Sequence, residues 1–567
     1  MTDFKPNTND SAPAAPGTPT PPIDAASQRG PIRNTLESFG MAVLMAVLLK
    51  YFVLEAYVIP TPSMQPTMMG SPSAGETDRI LVDKSYYLFH EPQRWDIAVF
   101  RYPVRQVQSY VKRIVGVGGD RLWIAAGNIY QASADGKSHT ILRKPERIQR
   151  TLWREIYPMR RKLELYESRD GVDVDVAPSD KDVFGRGAFF RSVRGKWKIG
   201  SEGQFRGTPD SSNHLKIALR SEQARNNYAD GYDLAVAKST REERKRSASN
   251  TQADGLTDVE RGDRSGLSLQ AVSDLRIGFD LTPTQSPDKL RIAIDVASKA
   301  LTYEVVIEKG KATLNAIISK PGPGQTLSSK PIAFKIPANE STPVQFARLD
   351  DRLYLWHNGD LVSQLDVDSI AIKERLAVGT VAPSIELIGK GTCSFGNLTI
   401  ERDLHYTRSR LESEEIIDVP EGHFFMMGDN TLGSADGRDW TALRIGVDAE
   451  GNIVDPETNK TARVLWGNKR TKPFVGAGKP HDDDNPVPLL YNNQVVFVDH
   501  LGETHSLTGK VDQNSWGETD YVQFTGNTPW IAKEQKHSFV PRHHIEGRPI
   551  ARFLRSLSSF KTVSWIR

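Results

Sequence analysis

The longest apolar segment of the chain runs from Phe39 to Leu54, and Lys50 is the one charged residue inside it. Extended back to Leu36, it reaches about the 20 residues that a helix needs to span a bilayer. No A-x-A-like cleavage site of small residues follows it, so we expect an uncleaved anchor. Two arginines precede the segment, which favours an N-terminus that stays in the cytoplasm.

Two later regions show the alternation and turn chemistry of β-strands. Short runs of β-branched residues separated by Gly and Pro extend from 57 to 129, and regularly spaced apolar runs fill 195–400. Asn358-Gly359 suits the positive φ values of a tight hairpin turn. The pattern predicts a mainly β protein in which the second region is a β-sandwich resembling a concanavalin-like jelly roll.

Composition changes this picture little. The 567 residues include 73 basic and 70 acidic side chains, and this balance gives no general reason to bind nucleic acid. The single cysteine, Cys393, excludes an internal disulfide. An acidic run at 482–484 could hold calcium, but the spaced ligand pattern of a calcium loop is missing. We therefore expect no metal and no cofactor, and we interpret the basic run at 241–247 as a solvated loop.

Candidate chemistry begins directly after the apolar segment, where Ser63 stands in the sequence IPTPSMQPTM. Alone, a serine among prolines is usually a turn residue. Lys112, however, lies in the strand-like run YVKRIVGV beside a second cation, Arg113, and alternation along a strand requires one of the two to face inward. Burial lowers the pKa of a lysine, which makes it a usable general base.

At this point the chain closely resembles the type I signal peptidases. The segments that carry the resemblance, in the order in which the family has them, are IPTPSMQPTM at 59–68, DRILVDK at 78–84, RWDIAVFRYP at 94–103, YVKRIVGVGGDRL at 110–122 and MGDNTLGSADGR at 427–438. They occupy only 36–129, 422–440 and 540–567, so the rest of the chain forms two insertions.

The resemblance implies a role for each site residue. Ser63 would be the nucleophile and Lys112 the general base. The Ser63 N–H and the Thr61 hydroxyl would bind the oxyanion, and Ser434 would orient Lys112. The remaining implied residues are a supporting turn of Gly428, Asp429, Asn430, Asp436 and Arg438, and a substrate pocket lined by Ile59, Pro60, Met64 and Val111.

Two departures from the family pattern stand out. Pro62 replaces a usual glycine and fixes φ next to the oxyanion site, and residues 431–433 are less polar than is common. Neither removes a residue to which a role is assigned. His543 and His544 have no carboxylate pattern nearby, and we interpret them as surface or packing residues.

The expected organisation has eight parts. They are a disordered cytoplasmic tail at 1–30, a transmembrane anchor at 31–56, catalytic parts at 57–130, 406–440 and 538–567, a connector at 131–194, the sandwich at 195–405 and a second insertion at 441–537.

The resemblance implies a membrane-bound serine endopeptidase that removes signal peptides from exported preproteins. It would lie in a bacterial inner membrane as a single-pass protein with its catalytic domain on the outer face. Two alternatives stay open: a protease specialised for a few envelope proteins that the sandwich selects, and a tethered glycan-binding protein with a vestigial protease part. What the sandwich binds, whether glycan or protein, stays unknown at this stage.

Overall fold

A computed structural model describes the fold. It describes residues 31–65, 67–68, 70, 78–157, 190–199, 204–219, 271–297, 300–319, 324–370, 380–409, 411, 415–431, 433–454, 456–457, 460–467, 489–491, 494–508, 521–524, 530–554 and 563–565. The predicted tail at 1–30, the basic run at 241–247 and the acidic run at 482–484 lie outside these residues.

Three α-helices and 36 strands make up the described elements. The helices are α1 (Pro31–Leu48), α2 (Tyr86–Phe89) and α3 (Glu146–Leu152), and short helical turns cover Leu49–Val53, Pro62–Met64 and Arg542–His544. The strands up to the first insertion are β1 (Leu54–Val58), β2 (Asp78–Asp83), β3 (Ile97–Tyr102), β4 (Arg105–Val117), β5 (Arg121–Ala125), β6 (Asn128–Ala132) and β7 (His139–Ile141).

The next strands are β8 (Arg154–Tyr157), β9 (Phe190–Arg194), β10 (Lys196–Ile199), β11 (Phe205–Thr208), β12 (His214–Leu219), β13 (Leu275–Pro283), β14 (Lys289–Val296), β15 (Leu301–Glu308), β16 (Lys311–Ile318), β17 (Gln325–Ser328), β18 (Ile332–Ala333), β19 (Thr342–Leu349), β20 (Arg352–His357), β21 (Asp360–Asp366), β22 (Val381–Ile388) and β23 (Cys393–Arg402).

The last strands are β24 (Ile417–Asp418), β25 (His423–Met427), β26 (Thr441–Val447), β27 (Ile453–Val454), β28 (Arg463–Gly467), β29 (Leu489–Tyr491), β30 (Gln494–Val498), β31 (Thr504–Thr508), β32 (Tyr521–Phe524), β33 (Trp530–Lys536), β34 (Phe539–Pro541), β35 (Ile545–Leu554) and β36 (Val563–Trp565). The prediction of a mainly β protein is confirmed.

The chain divides into two compact units, residues 1–55 and 56–567. In the first unit, α1 continues into a turn of wider helix at Leu49–Val53. Among the described residues, no helix combines the length and the apolar character that crossing a membrane requires. The predicted transmembrane anchor is therefore not confirmed by the structure.

A sheet of discontinuous segments carries the candidate chemistry of the second unit. Its strands lie in the order β2-β35-β3-β4-β25-β34, so the chain's last part inserts between strands from its first part. Lys112 on β4 is paired with Ala98 on β3, and Arg113 lies between Ile97 and Met427. The sheet thereby brings Asp78–Asp83, 97–117 and His423–Met427 together.

Two further sheets, each of eight strands, form the predicted sandwich. One has the order β10-β11-β23-β13-β19-β20-β21 with β8 at its side, and the other has the order β17-β16-β15-β14-β22-β12-β9 with β18. Alternate residues of both sheets meet in one large apolar core that includes Ile277, Phe279, Ile292, Tyr303 and Phe346. Burial of these side chains supplies the main stabilisation of the sandwich.

The sandwich recruits more of the chain than the sequence pattern predicted. Strands β8 and β9 come from the segment expected to be a connector, yet each pairs with a sandwich strand. Residues 441–537, which had no clear pattern, contribute strands β26 to β33, and these form two separate sheets outside the sandwich. Edge strands such as β8 are short and polar, so alternation alone identifies them poorly.

A buried cluster of charges joins the sandwich to the catalytic part. The Lys144 ammonium lies 2.5 Å from an Asp350 carboxylate oxygen and 2.9 Å from Asp403. The Tyr130 hydroxyl donates to Asp351 at 2.9 Å. Burial disfavours the charged Lys144, but Asp350 and Asp403 outweigh it and raise its pKa above the ordinary range. Three carboxylates converge here, those of Asp274, Asp350 and Asp403. The Lys144 ammonium is a cation buried among them.

We expect Lys144→Met to destabilise the protein by about 3–5 kcal/mol, because removing one partner of a buried ion pair leaves the other uncompensated. Arg352→Met, which removes a pair with Asp366 on the sandwich surface, should cost below about 1 kcal/mol. Denaturant titration of both variants measures the difference. Equal losses of stability in the two variants would show that the buried Lys144 cluster contributes no more than a surface ion pair.

Candidate active site

Ser63 lies in a tight turn that is held by backbone contacts. Residues Pro62–Met64 form one helical turn, and Met68 N–H donates to the Met64 carbonyl at 3.0 Å. A side chain at Gly70 would collide with the Thr61 carbonyl, whose oxygen lies 1.9 Å from where a Cβ would stand. Glycine at this position therefore lets the chain fold back onto the serine turn. Ser63 itself is 6% exposed.

The Lys112 ammonium donates a hydrogen bond of 2.5 Å to the Ser63 hydroxyl oxygen. The Thr61 hydroxyl lies 3.2 Å from the same oxygen. Lys112 is 3% exposed, and this burial lowers its pKa to about 8, since an apolar surrounding disfavours the charged ammonium. A neutral amine at this distance can accept the hydroxyl proton and so produce a nucleophilic serine.

Asp436 and Arg438 form a buried ion pair next to Lys112. Two Arg438 nitrogens donate to the Asp436 carboxylate at 2.7 Å each, and Gly428 N–H donates to Asp436 at 2.9 Å. After burial, Asp436 and Arg438 have the largest effects on the pKa of Lys112, and they act in opposite directions. The pair therefore holds the turn without restoring an ordinary lysine pKa.

Arg113 forms a second buried pair, with Asp429. Two guanidinium nitrogens reach the carboxylate at 2.8 and 2.7 Å, and a third bond goes to the Trp95 carbonyl at 2.7 Å. Burial alone would raise the pKa of Asp429, but Arg113 holds it below its ordinary value. The sequence argument required at least one of Lys112 and Arg113 to face inward, and the structure buries both of them.

The supporting turn reaches the serine through its backbone. Asn430 N–H donates to the Ser63 carbonyl at 3.1 Å. A side chain at Gly428 would collide with that carbonyl and with Ser434, so the close approach requires glycine. Ser434 is buried at this place, but its hydroxyl has no hydrogen-bond partner among the described residues. The expected bond from Ser434 to Lys112 is not present among the described residues, in which the ammonium donates to Ser63.

Three of the four predicted pocket residues lie in one apolar cluster. Ile59, Met64 and Val111 pack together beside the serine turn, whereas Pro60 is exposed and stands outside the cluster. Met64 has no exposed surface and contributes packing in this structure, while Val111 is partly exposed. Pro62 begins the helical turn that contains Ser63.

The histidines that the sequence analysis set aside lie away from this arrangement. His544 is 5% exposed and its ring contacts His543 edge-on, with the centroids 4.6 Å apart. Burial lowers the pKa of His544 to about 4. A second group with metal-ligand spacing, Asp499, Glu503 and His505, lies on the β30–β31 hairpin, where Asp499 accepts two backbone N–H bonds at 2.9 Å that shape the turn.

A serine hydroxyl bonded to a buried, weakly basic lysine defines the class of serine/lysine hydrolases. Residues 32–165 match the family described as signal peptidase, peptidase S26. The probable signal peptidase I-1 of Synechocystis is 33% identical over 122 residues, which are 20% of this chain and 59% of that protein. Signal peptidase I of Mycobacterium tuberculosis is 40% identical over 121 residues, 15% of this chain and 41% of that protein.

The resemblance to type I signal peptidases is thus confirmed for the N-terminal part. The chain spans about half the length of the curated relatives it matches. Among solved structures, a carbohydrate binding module from Bacillus subtilis aligns with 38% of this chain and 95% of its own, at 13% identity and a TM-score of 0.21. A similarity this low gives no information about what the sandwich of this chain binds.

We expect Lys112→Met to stabilise the protein at pH 7 by up to about 3 kcal/mol, because the fall in pKa from 10.5 to about 8 measures what burying the charge costs. Lys112 is protonated in both states below pH 8. Between pH 8 and about 10.4 only the unfolded chain binds the proton, so wild-type stability rises and the difference shrinks. Denaturant titration at pH 7 and pH 10 tests this. A variant less stable than wild type at both pH values would contradict it.

Proposed function

We propose that the protein is a membrane-bound serine endopeptidase that removes signal peptides from exported preproteins. The observation that carries the proposal is the 2.5 Å bond between Ser63 and a Lys112 whose pKa is lowered to about 8. The family match over residues 32–165 supports the choice of substrate class.

Catalysis begins with transfer of the Ser63 proton to neutral Lys112. The serine oxygen attacks the carbonyl carbon of the residue before the cleavage site, and the oxyanion receives hydrogen bonds from the Ser63 N–H and the Thr61 hydroxyl. The Lys112 ammonium then gives its proton to the leaving amine. Water, deprotonated by the same lysine, then attacks the acyl-enzyme; the bond to the serine oxygen breaks, and Lys112 returns the proton to Ser63.

In this proposal the supporting turn keeps the Ser63 segment in place beside Lys112, and the buried Ser434 packs against the turn at Gly428. Asp436 binds both Gly428 N–H and Arg438, so the turn meets the serine segment as one rigid piece. The apolar cluster of Ile59 and Val111 offers a small apolar surface beside Ser63. Such a surface favours small side chains near the cleaved bond, since a larger one would require the cluster to open.

The apolar segment 36–54 is proposed as a single membrane anchor with the catalytic part on the outer face of a bacterial inner membrane. The exposed apolar side chains of α1, including Leu36, Phe39, Met41 and Leu44, support it. Anchoring would place Ser63 near the membrane surface, where a preprotein held by its own apolar segment also lies.

A protease restricted to a few envelope preproteins is the second candidate. The buried Lys144 cluster favours it, because it fixes the sandwich firmly to the catalytic part and so lets the sandwich act on substrate choice. Glycan or protein is the proposed ligand class of the sandwich. The close contact of Ser63 and Lys112 weighs against a vestigial protease part.

We expect Ser63→Ala, Lys112→Ala and Lys112→Arg each to lower kcat/KM on a model preprotein by about 10³-fold or more, because the two residues act as a unit and a guanidinium stays protonated. The wild-type kcat/KM should fall about tenfold per pH unit below pH 8, where Lys112 binds a proton. Timed cleavage by the detergent-solubilised full chain measures both effects.

The matched control is Lys196→Arg, which changes an exposed lysine of the sandwich and should leave cleavage at the wild-type rate. Folded Lys112→Arg with near-normal turnover, or a rate that stays flat down to pH 6, would remove Lys112 as the base.

The anchor proposal predicts that a cysteine at Glu340, an exposed sandwich position, reacts with a membrane-impermeant maleimide in intact spheroplasts. The native Cys393 is buried, and this raises the pKa of its thiol to about 11, so it gives little background. Mass spectrometry of Glu340→Cys and wild-type protein measures the labelling. Modification only after lysis would place the sandwich in the cytoplasm and contradict the topology.

A further inference from the structure

Thr67, four residues after the proposed nucleophile, lies between two charged side chains from distant parts of the chain. An Arg154 nitrogen donates to its hydroxyl oxygen at 2.7 Å. The hydroxyl in turn donates to the Asp429 carboxylate. Asp429 belongs to the supporting turn, whereas Arg154 begins strand β8. None of the motifs that carry the family resemblance contains Arg154.

The donors and acceptors in this chain of bonds have only one consistent direction. A guanidinium can only donate and a carboxylate can only accept, so the single proton of Thr67 must point at Asp429. Arg154 is 7% exposed and Asp429 is fully buried, so water competes weakly for either bond. Arg154 therefore fixes the orientation of the Thr67 hydroxyl as well as its position.

Strand β8 owes its position to the sandwich. Its Arg154 and Glu155 pair with Arg402 and Glu401 of β23, which continues into the sandwich core. The preceding helix α3 is tied to the same end of the sandwich by a bond of 2.8 Å from Gln149 to Asp403. Arg154 is thus the point at which a sandwich strand reaches the serine segment.

The contacts beyond Asp429 lead to the dyad. Arg113, which adjoins Lys112 on β4, binds both Asp429 oxygens. Asn430, the next residue of the turn, donates its N–H to the Ser63 carbonyl. Arg552 holds the Thr67 carbonyl at 2.7 Å. A loss of the Thr67 bond would loosen one of the ties between the serine segment and the supporting turn.

We propose that Arg154 is a positioning residue for the reaction, through which the sandwich sheet holds Thr67, and with it the Asp429 turn, against the Ser63 segment. This inference rests on the proposed peptidase activity. Arg154 does not touch the dyad, so its effect is on the geometry in which Lys112 meets Ser63. Small displacements at a reacting pair cost up to about 10²-fold in rate.

A double-mutant cycle tests the proposal with Arg154→Met and Thr67→Val, each of which removes one polar partner at similar size. Each single variant should lower kcat about 10- to 100-fold with KM within twofold of wild type, because neither side chain contacts substrate. The loss of kcat in the double variant should be no greater than that of the more impaired single variant, since both changes break the same chain of bonds. Arg154→Lys keeps a donor and should recover part of the lost kcat.

Arg276→Met is the matched control, since Arg276 pairs with Glu401 on the same sheet and lies over Trp153, next to Arg154 in sequence. It should leave kcat unchanged, and thermal melts of all variants show which are folded. If Arg154→Met does not fold, Thr67→Val alone still tests the chain of bonds from Arg154 through Thr67 to Asp429. Additive losses, an effect on KM alone, or wild-type kcat in Thr67→Val would overturn the proposal. Cleavage by Ser63→Ala equal to wild type would instead overturn the proposed function, and this inference with it.

Discussion

The burial of one ammonium group is the constraint on which the rest of this structure depends. An exposed lysine has a pKa near 10.4, so about one molecule in a few thousand would carry a neutral amine at pH 7. Burial of Lys112 lowers its pKa to about 8, which raises that share to about a tenth. The gain has a cost in stability, because at neutral pH most molecules hold a charge that the surroundings disfavour.

The neighbouring charges are arranged so that this effect survives. A single carboxylate within reach would restore the lysine's charge by favouring the ammonium. Asp436 and Asp429 both lie near enough to act on Lys112, but each is bound by two nitrogens of an arginine. Because Arg438 opposes the effect of Asp436, burial remains the dominant influence on the pKa of Lys112. The two arginines thus let carboxylates stand close to Lys112 while its pKa stays low.

The sequence predicted the residues of the site better than their electrostatics. The motif order predicted Ser63, Lys112 and the supporting turn, and the Lys112–Ser63 and Asn430–Ser63 hydrogen bonds bring them together. The sequence placed Arg113 beside Lys112 but did not reveal its partner, Asp429, which lies 316 positions away. No local pattern reveals a pair at that separation. The same limit explains β8, whose place in the sandwich depends on a partner strand that begins at Cys393.

Buried charges also hold the inserted sandwich against the catalytic part. A domain joined to its host only through exposed linkers moves freely, and its side chains cannot hold a distant turn in register. Here Lys144 is enclosed by Asp350 and Asp403 of the insertion, and Arg154 reaches Thr67 in the serine segment. Both cations are buried, and an uncompensated buried charge is strongly unfavourable. Separation of the sandwich from the catalytic part would expose or unpair both sites together, so the two parts are held as one body around the dyad.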